Sequence, residues 1–179
     1  MKYAGMPHAM WILFGKSFRT HLTTVFHLDA STAKEVAAKA KKKYKEILAD
    51  VPSFEKGDRF QSNLVNAALL AAFILNMPER PDMDTLTVYY AESMMTKPIK
   101  WFCKKYGILS LFRRQRLRSS LYQMRHLRAD EKAWALDLTP ALCHLDYTMN
   151  EVGGANEFVR EHTLASGGPY CDCGYKKKK

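Results

Sequence analysis

The sequence predicts an α+β protein: a mainly helical N-terminal bundle, then a short site helix and a C-terminal β-hairpin. Three observations predict it. Apolar residues recur at helical spacing in successive stretches between Pro7 and Tyr106. Prolines and capping residues punctuate those stretches. Two extended runs, Phe158 to Ala165 and Tyr170 to Tyr175, flank Ser166-Gly167-Gly168-Pro169, a turn rich enough in glycine and proline for a hairpin. With 179 residues, 47% of them apolar and 12% aromatic, the chain can bury a real core, and a disordered or collagen-like class is excluded. One domain over 1–179 is expected, with an atypical Arg-rich segment at 107–135 and a basic tail at 176–179.

Pro7 opens the first helix, whose Met10, Trp11, Leu13, Phe14, Phe18, Leu22, Val25 and Phe26 make a broad apolar face. His8, His21 and His27 lie around it and need only a hydrogen-bond partner each. The second helix starts at Thr32, which forms a capping box with Glu35. Val36, Ala40, Tyr44, Ile47 and Leu48 are its stripe, and Pro52 stops it. The third begins near Asp58 and Gln61 and is apolar almost all round, which makes it the central buried helix. Its Asn63 and Asn66 then need partners.

Asp82 or Asp84 caps the fourth helix, which carries Tyr89, Tyr90, Met94 and Met95. Pro98 opens a fifth, closed by Gly107, on which Cys103 reads as a small buried hydrophobe. Residues 7 to 106 thus predict a bundle of about five helices. Thr139 caps the site helix, Pro140 takes its first position, and Gly153-Gly154 ends it.

The formal charge of +10 invites a polyanion partner, so its placement matters. Four of the charges are Lys176 to Lys179, and Lys39, Lys41, Lys42, Lys43 and Lys45 share one helix. Neither cluster is interleaved with aromatics, and both read as solvated lysines. From Ile108 to Arg128 six of the ten arginines are concentrated with no lysine. Leu117, Leu121, Met124 and Leu127 give that stretch a helical stripe, but no nucleic-acid module is recognisable and a specific nucleic-acid partner is not expected. No secretory signal and no 18-residue uncharged run stand out, so a cytoplasmic protein with no membrane partner and reduced thiols is expected.

The chemistry-bearing residues gather in the last quarter. Cys143 lies one turn from Asp146 and Tyr147 on one helix face. In the second extended run, alternation puts Cys171 and Cys173 on one side and Asp172 on the other. The pattern Cys143-x-x-Asp146, Arg160, Thr163-Leu164-Ala165-x-Gly167 and Cys171-Asp172 resembles the L-2-amino-thiazoline-4-carboxylic acid hydrolase family of bacteria. The stretch from MPHAMWILFGKSF to Tyr106 also resembles Firmicutes-type members, so the likeness covers roughly three quarters of the chain. Family members carry a longer middle with strands, so it implies a member with an altered or shortened segment there.

The resemblance implies a hydrolase of cysteine metabolism, acting on a carbon–nitrogen bond of a cyclic amidine and converting 2-amino-thiazoline-4-carboxylate to N-carbamoyl-cysteine. Opening that ring needs water or a thiolate at the carbon between sulfur and nitrogen, and a proton for the leaving atom. Carried onto matching positions, the catalytic set is Cys143, Asp146, Cys171 and Asp172. Arg160, His162 and Tyr147 are expected to bind the small-molecule substrate, Arg160 through a bidentate contact to its carboxylate. Two plainer arrangements compete: Asp146 simply paired with Arg160, and cysteines that only pack. Cys143, His144, Cys171 and Cys173 would also make a zinc set, but Cys-x-Cys is not the usual spacing and His144 points away from Cys143. No metal and no organic cofactor are expected. The alternative function is a catalytically inactive small-molecule or partner-binding protein on the same scaffold.

Overall fold

The computed structural model describes residues 5–50, 61–106, 138–154, 156–163, 167–170, 172 and 174–177. Six helices and one two-stranded antiparallel sheet are found among them, which is the α+β class expected. The helices are α1 (Met6–Thr24), α2 (Ala30–Asp50), α3 (Gln61–Ile74), α4 (Met83–Met94), α5 (Lys97–Tyr106) and α6 (Thr139–Gly153), followed by β1 (Asn156–Val159) and β2 (Gly174–Lys177). Contacts divide the chain into two compact units, Met1–Met94 and Met95–Lys179. The five-helix bundle expected over residues 7 to 106 is therefore four helices in the first unit, and α5 packs against α6 in the second.

In the first unit α1 packs on α2, α3 and α4, and α2 lies along α3. Phe18 of α1 is the hub, fully buried, with ring centroids of Phe73 at 5.1 Å, Tyr89 at 5.5 Å and Tyr90 at 6.2 Å. Edge and tilted contacts of this kind add to the area buried. The Tyr89 hydroxyl donates to the Phe18 carbonyl at 3.1 Å, and burial holds that phenol well above its usual range. As its apolar composition predicts, α3 is the central helix, with Val65 and Ala68 to Phe73 all buried. Asn66 keeps a buried Oδ1 with no partner among the described residues. On α1 the expected face is too broad: Leu13 is 48% exposed, and the buried positions are Phe14, Gly15, Phe18 and Leu22.

The helix starts show where local chemistry overrules the sequence reading. The cap of α2 is Asp29, not Thr32. Its carboxylate accepts from the N–H of Ser31 at 2.9 Å, the N–H of Thr32 at 3.0 Å and both hydroxyls, which holds it well below the usual carboxylate range. Thr32 lies at the third helical position, so the proposed capping box does not form. Asp82, not Asp84, caps α4 through the Thr85 N–H at 2.9 Å and hydroxyl at 2.7 Å. The start of α6 moves by one residue, to a Leu138 cap with Thr139 as the first helical residue. Its end is as expected, with Gly154 in the left-handed region at φ 68° and its N–H on the Asn150 carbonyl at 2.9 Å.

The strands are displaced from the expected runs. β1 pairs with β2 in the register Asn156↔Lys177, Glu157↔Lys176, Phe158↔Tyr175 and Val159↔Gly174. Lys176 and Lys177, expected in a tail, thus belong to a strand, with Glu157 opposite Lys176 on the outer face and Phe158 against Tyr175 at 5.0 Å on the other. Residues 107 to 137, which include the Arg-rich segment, lie outside the described residues.

Replacing Phe18 with Ala leaves a cavity among three rings and is expected to cost the first unit roughly 3–5 kcal/mol in urea unfolding. Tyr89→Phe, which loses one hydrogen bond, is expected to cost about 1 kcal/mol.

Candidate functional site

The second unit is built around α6 and the strand that follows it. Cys143, Asp146 and Tyr147 share one face of α6, as the i, i+3, i+4 spacing dictates. The chain reverses at Gly154, and β1 returns to deliver Arg160 onto that face. The Arg160 guanidinium donates from Nη2 to Asp146 Oδ2 and from Nη1 to the Cys143 carbonyl at 2.8 Å. Its central carbon lies 4.7 Å from the Phe158 ring centroid and 5.5 Å from that of Tyr147, and these two rings meet edge to face at 4.7 Å. The Arg160 side chain is only 7% exposed, against 27% for Asp146. Burial raises the Asp146 carboxyl above the usual range, and the Arg160 charge and hydrogen bond pull against that without cancelling it.

Three residues on, the Thr163 hydroxyl donates to Cys143 Sγ at 3.8 Å. Thr163 belongs to the Thr-Leu-Ala motif quoted above, yet the sequence does not point its hydroxyl at the thiol. Leu164 to Ser166 lie outside the described residues.

Asp172 organises the segment between the strands. Its carboxylate accepts the N–H of His162 at 2.6 Å and of Glu161 at 3.2 Å, which pulls it below the usual range. Its own N–H donates to the His162 carbonyl at 3.3 Å, and the Gly168 N–H donates to the Thr163 carbonyl at 2.9 Å. Each glycine of the turn is needed for a different reason. Gly167 has φ 82°, and a Cβ on Gly168 would meet the Thr163 carbonyl oxygen at 2.9 Å. The half-buried His162 lies 5.1 Å from Tyr170, ring to ring.

Of the residues expected in the site, Cys143, Asp146, Tyr147 and Arg160 converge, and Asp172 and His162 join them through the chain around Thr163. Cys171 and Cys173 lie outside the described residues, and with them the zinc arrangement that would need both. His144 is exposed, 5.4 Å from Tyr147 ring to ring. No group of three or more metal-ligating side chains occurs among the described residues. Cys103 is buried, as expected, and burial pushes its thiol up. In the first unit, His21 Nδ1 lies 3.4 Å from both Ser17 Oγ and Ser93 Oγ, and its Nε2 3.7 Å from Glu92, which satisfies it as a core-edge histidine.

The chain matches no family model, no curated protein and no solved structure. Among the described residues, no helix is long and apolar enough to cross a membrane.

Asp146→Asn keeps a side-chain oxygen for Arg160 Nη2 and removes the titrating carboxyl, so it is expected to cost about 1 kcal/mol in denaturant unfolding at acid pH and less as pH rises. The folded-state value of Asp146 lies above the ordinary one. Its contribution is therefore full below the ordinary carboxylate pKa and lost as pH rises through the raised value, and the variant should lose that slope. Asp172 has the opposite sign: its folded-state value is depressed, so its contribution is present above the ordinary pKa and lost as pH falls through the depressed one. Gly168→Ala is expected to cost about 1–3 kcal/mol, read as a lowered melting temperature, because the added Cβ would press on the Thr163 backbone.

Proposed function

We propose that the cluster around Cys143 is a hydrolytic site that opens a cyclic amidine of the 2-aminothiazoline-carboxylate type, with Cys143 as nucleophile and Asp146 as proton donor. The observation that carries this reading is the pairing, on one helix turn, of a thiol receiving the Thr163 hydroxyl with a carboxyl raised by burial. A sulfur nucleophile and a carboxyl whose protonated form is favoured by burial, one helix turn apart, are what ring opening needs.

The Cys143 thiolate adds to the ring carbon between sulfur and nitrogen. The ring carbon–sulfur bond breaks, and the departing sulfur takes the proton from Asp146. The carbon is then held as an isothiourea on Cys143. Ionised Asp146 takes a proton from water, hydroxide adds to that carbon, and Cys143 leaves as thiolate. One water is consumed, the carbon–nitrogen bonds are kept, and N-carbamoyl-cysteine results. In this reaction the bond broken is carbon–sulfur, and the carbon–nitrogen cleavage implied by the resemblance has no step.

On this reading the expected roles are redistributed. Arg160, buried between two rings with Nη1 and Nη2 on Cys143 and Asp146, acts as a positioning residue and does not hold the substrate carboxylate. The carboxylate is left to His162, with Tyr147 flanking the site. Asp172 positions Glu161, His162 and Thr163 through their backbone.

A second reading, a binding protein without catalysis, is favoured by one observation: the Asp172 carboxylate and the Arg160 guanidinium are both occupied by the protein itself. Incubation with 2-amino-thiazoline-4-carboxylate separates the two. Hydrolysis releases one free thiol per turnover, Cys143→Ala abolishes it, and Asp146→Asn lowers kcat by about 100- to 10,000-fold. The rate should also fall as pH rises through the raised value of Asp146. A parent protein that releases no thiol while binding the compound establishes the second reading instead.

A further inference from the structure

One face of α5 is strongly basic and contains an exposed tryptophan. Lys97, Lys100, Trp101, Lys104 and Lys105 are all exposed. At helical pitch they fall within an arc of about 140° with the indole inside it. Trp101 is 57% exposed, and Lys105 Nζ lies 4.7 Å from its ring centroid. The other side of the helix carries the half-buried Ile99 and Phe102 and the fully buried Cys103, and α5 packs against α6.

We propose that this face binds single-stranded nucleic acid without sequence preference, a base stacking on Trp101 while the lysines meet the flanking phosphates. Stacking on an exposed aromatic within a cationic surface is the recognition mode that tolerates any base. The charge distribution of the whole chain points to a polyanion as well. Residues 97–128 hold ten lysines and arginines and no acidic residue, and outside that stretch 18 cations face 18 acids. All the net positive charge of the protein thus belongs to the stretch that α5 begins. An anionic lipid surface fits less well, because an interfacial helix offers lipid an apolar face, and that of α5 is turned to the protein. The binding is independent of the hydrolytic chemistry.

The test uses the full chain and a fluorescein-labelled oligothymidylate, followed by fluorescence anisotropy between about 50 and about 200 mM KCl. The expected result is salt-sensitive binding that Trp101→Ala weakens roughly 5- to 150-fold and Trp101→Phe largely restores. Lys97, Lys100 and Lys104 changed together to Gln should reduce the slope of log affinity against log salt by about 2. Circular dichroism melts unchanged from the parent show that these surface variants fold. Three results overturn the proposal: no binding at the lowest salt, parent-like binding by both the Trp101→Ala and the triple-lysine variants, or tighter binding to phosphatidylserine vesicles with the same dependence on Trp101.

Discussion

The second unit depends on one buried cation. The Arg160 guanidinium joins a helix carboxylate, a helix carbonyl and two aromatic faces, and it does so from the residue immediately after β1. A guanidinium suits this place because its planar fork donates in two directions while its faces stack, which an ammonium cannot do. The position of Thr163 relative to Cys143 is set a few residues downstream of that clasp. The same charge opposes, without cancelling, the effect of burial on Asp146, so packing and acidity at the site have a common origin.

The first unit is held differently. Its stability comes from the interlocked rings of Phe18, Phe73, Tyr89 and Tyr90, with the Tyr89 hydroxyl answered by the Phe18 carbonyl. The lysines of α2 are surface features: Lys39 pairs with Glu35 at 2.6 Å and Lys43 with Glu46 at 3.5 Å. Pairs this exposed contribute little to stability. The sequence of α5, unlike that of α2, contains no acidic residue.

The helices were legible because their apolar spacing is long and regular, and the buried residues of α2, α3 and α4 are largely those the pattern selects. Their starts were less legible, since Asp29 outcompetes Thr32 for the same amides by accepting several donors at once. The partner of α5 was not legible: the helix was expected in one bundle with the four before it, whereas it packs against α6. The hairpin was legible as a feature but not in register, because among the described residues between the strands Glu161 and His162 are held by the Asp172 side chain, and Gly167 and Gly168 meet special backbone demands. At the candidate site, the shared face of Cys143, Asp146 and Tyr147 follows from helical spacing alone. The Thr163 hydroxyl on Cys143 and the burial of Arg160 depend on how β1 returns across α6, which no local pattern records.

The place of β2 near the end of the chain has a practical side. Lys176 sits across from Glu157 as a rung of the sheet, and Tyr175 backs the ring that covers Arg160. Removing Lys176 and Lys177 therefore removes two of the four pairs of this ladder, next to the rung that backs the guanidinium.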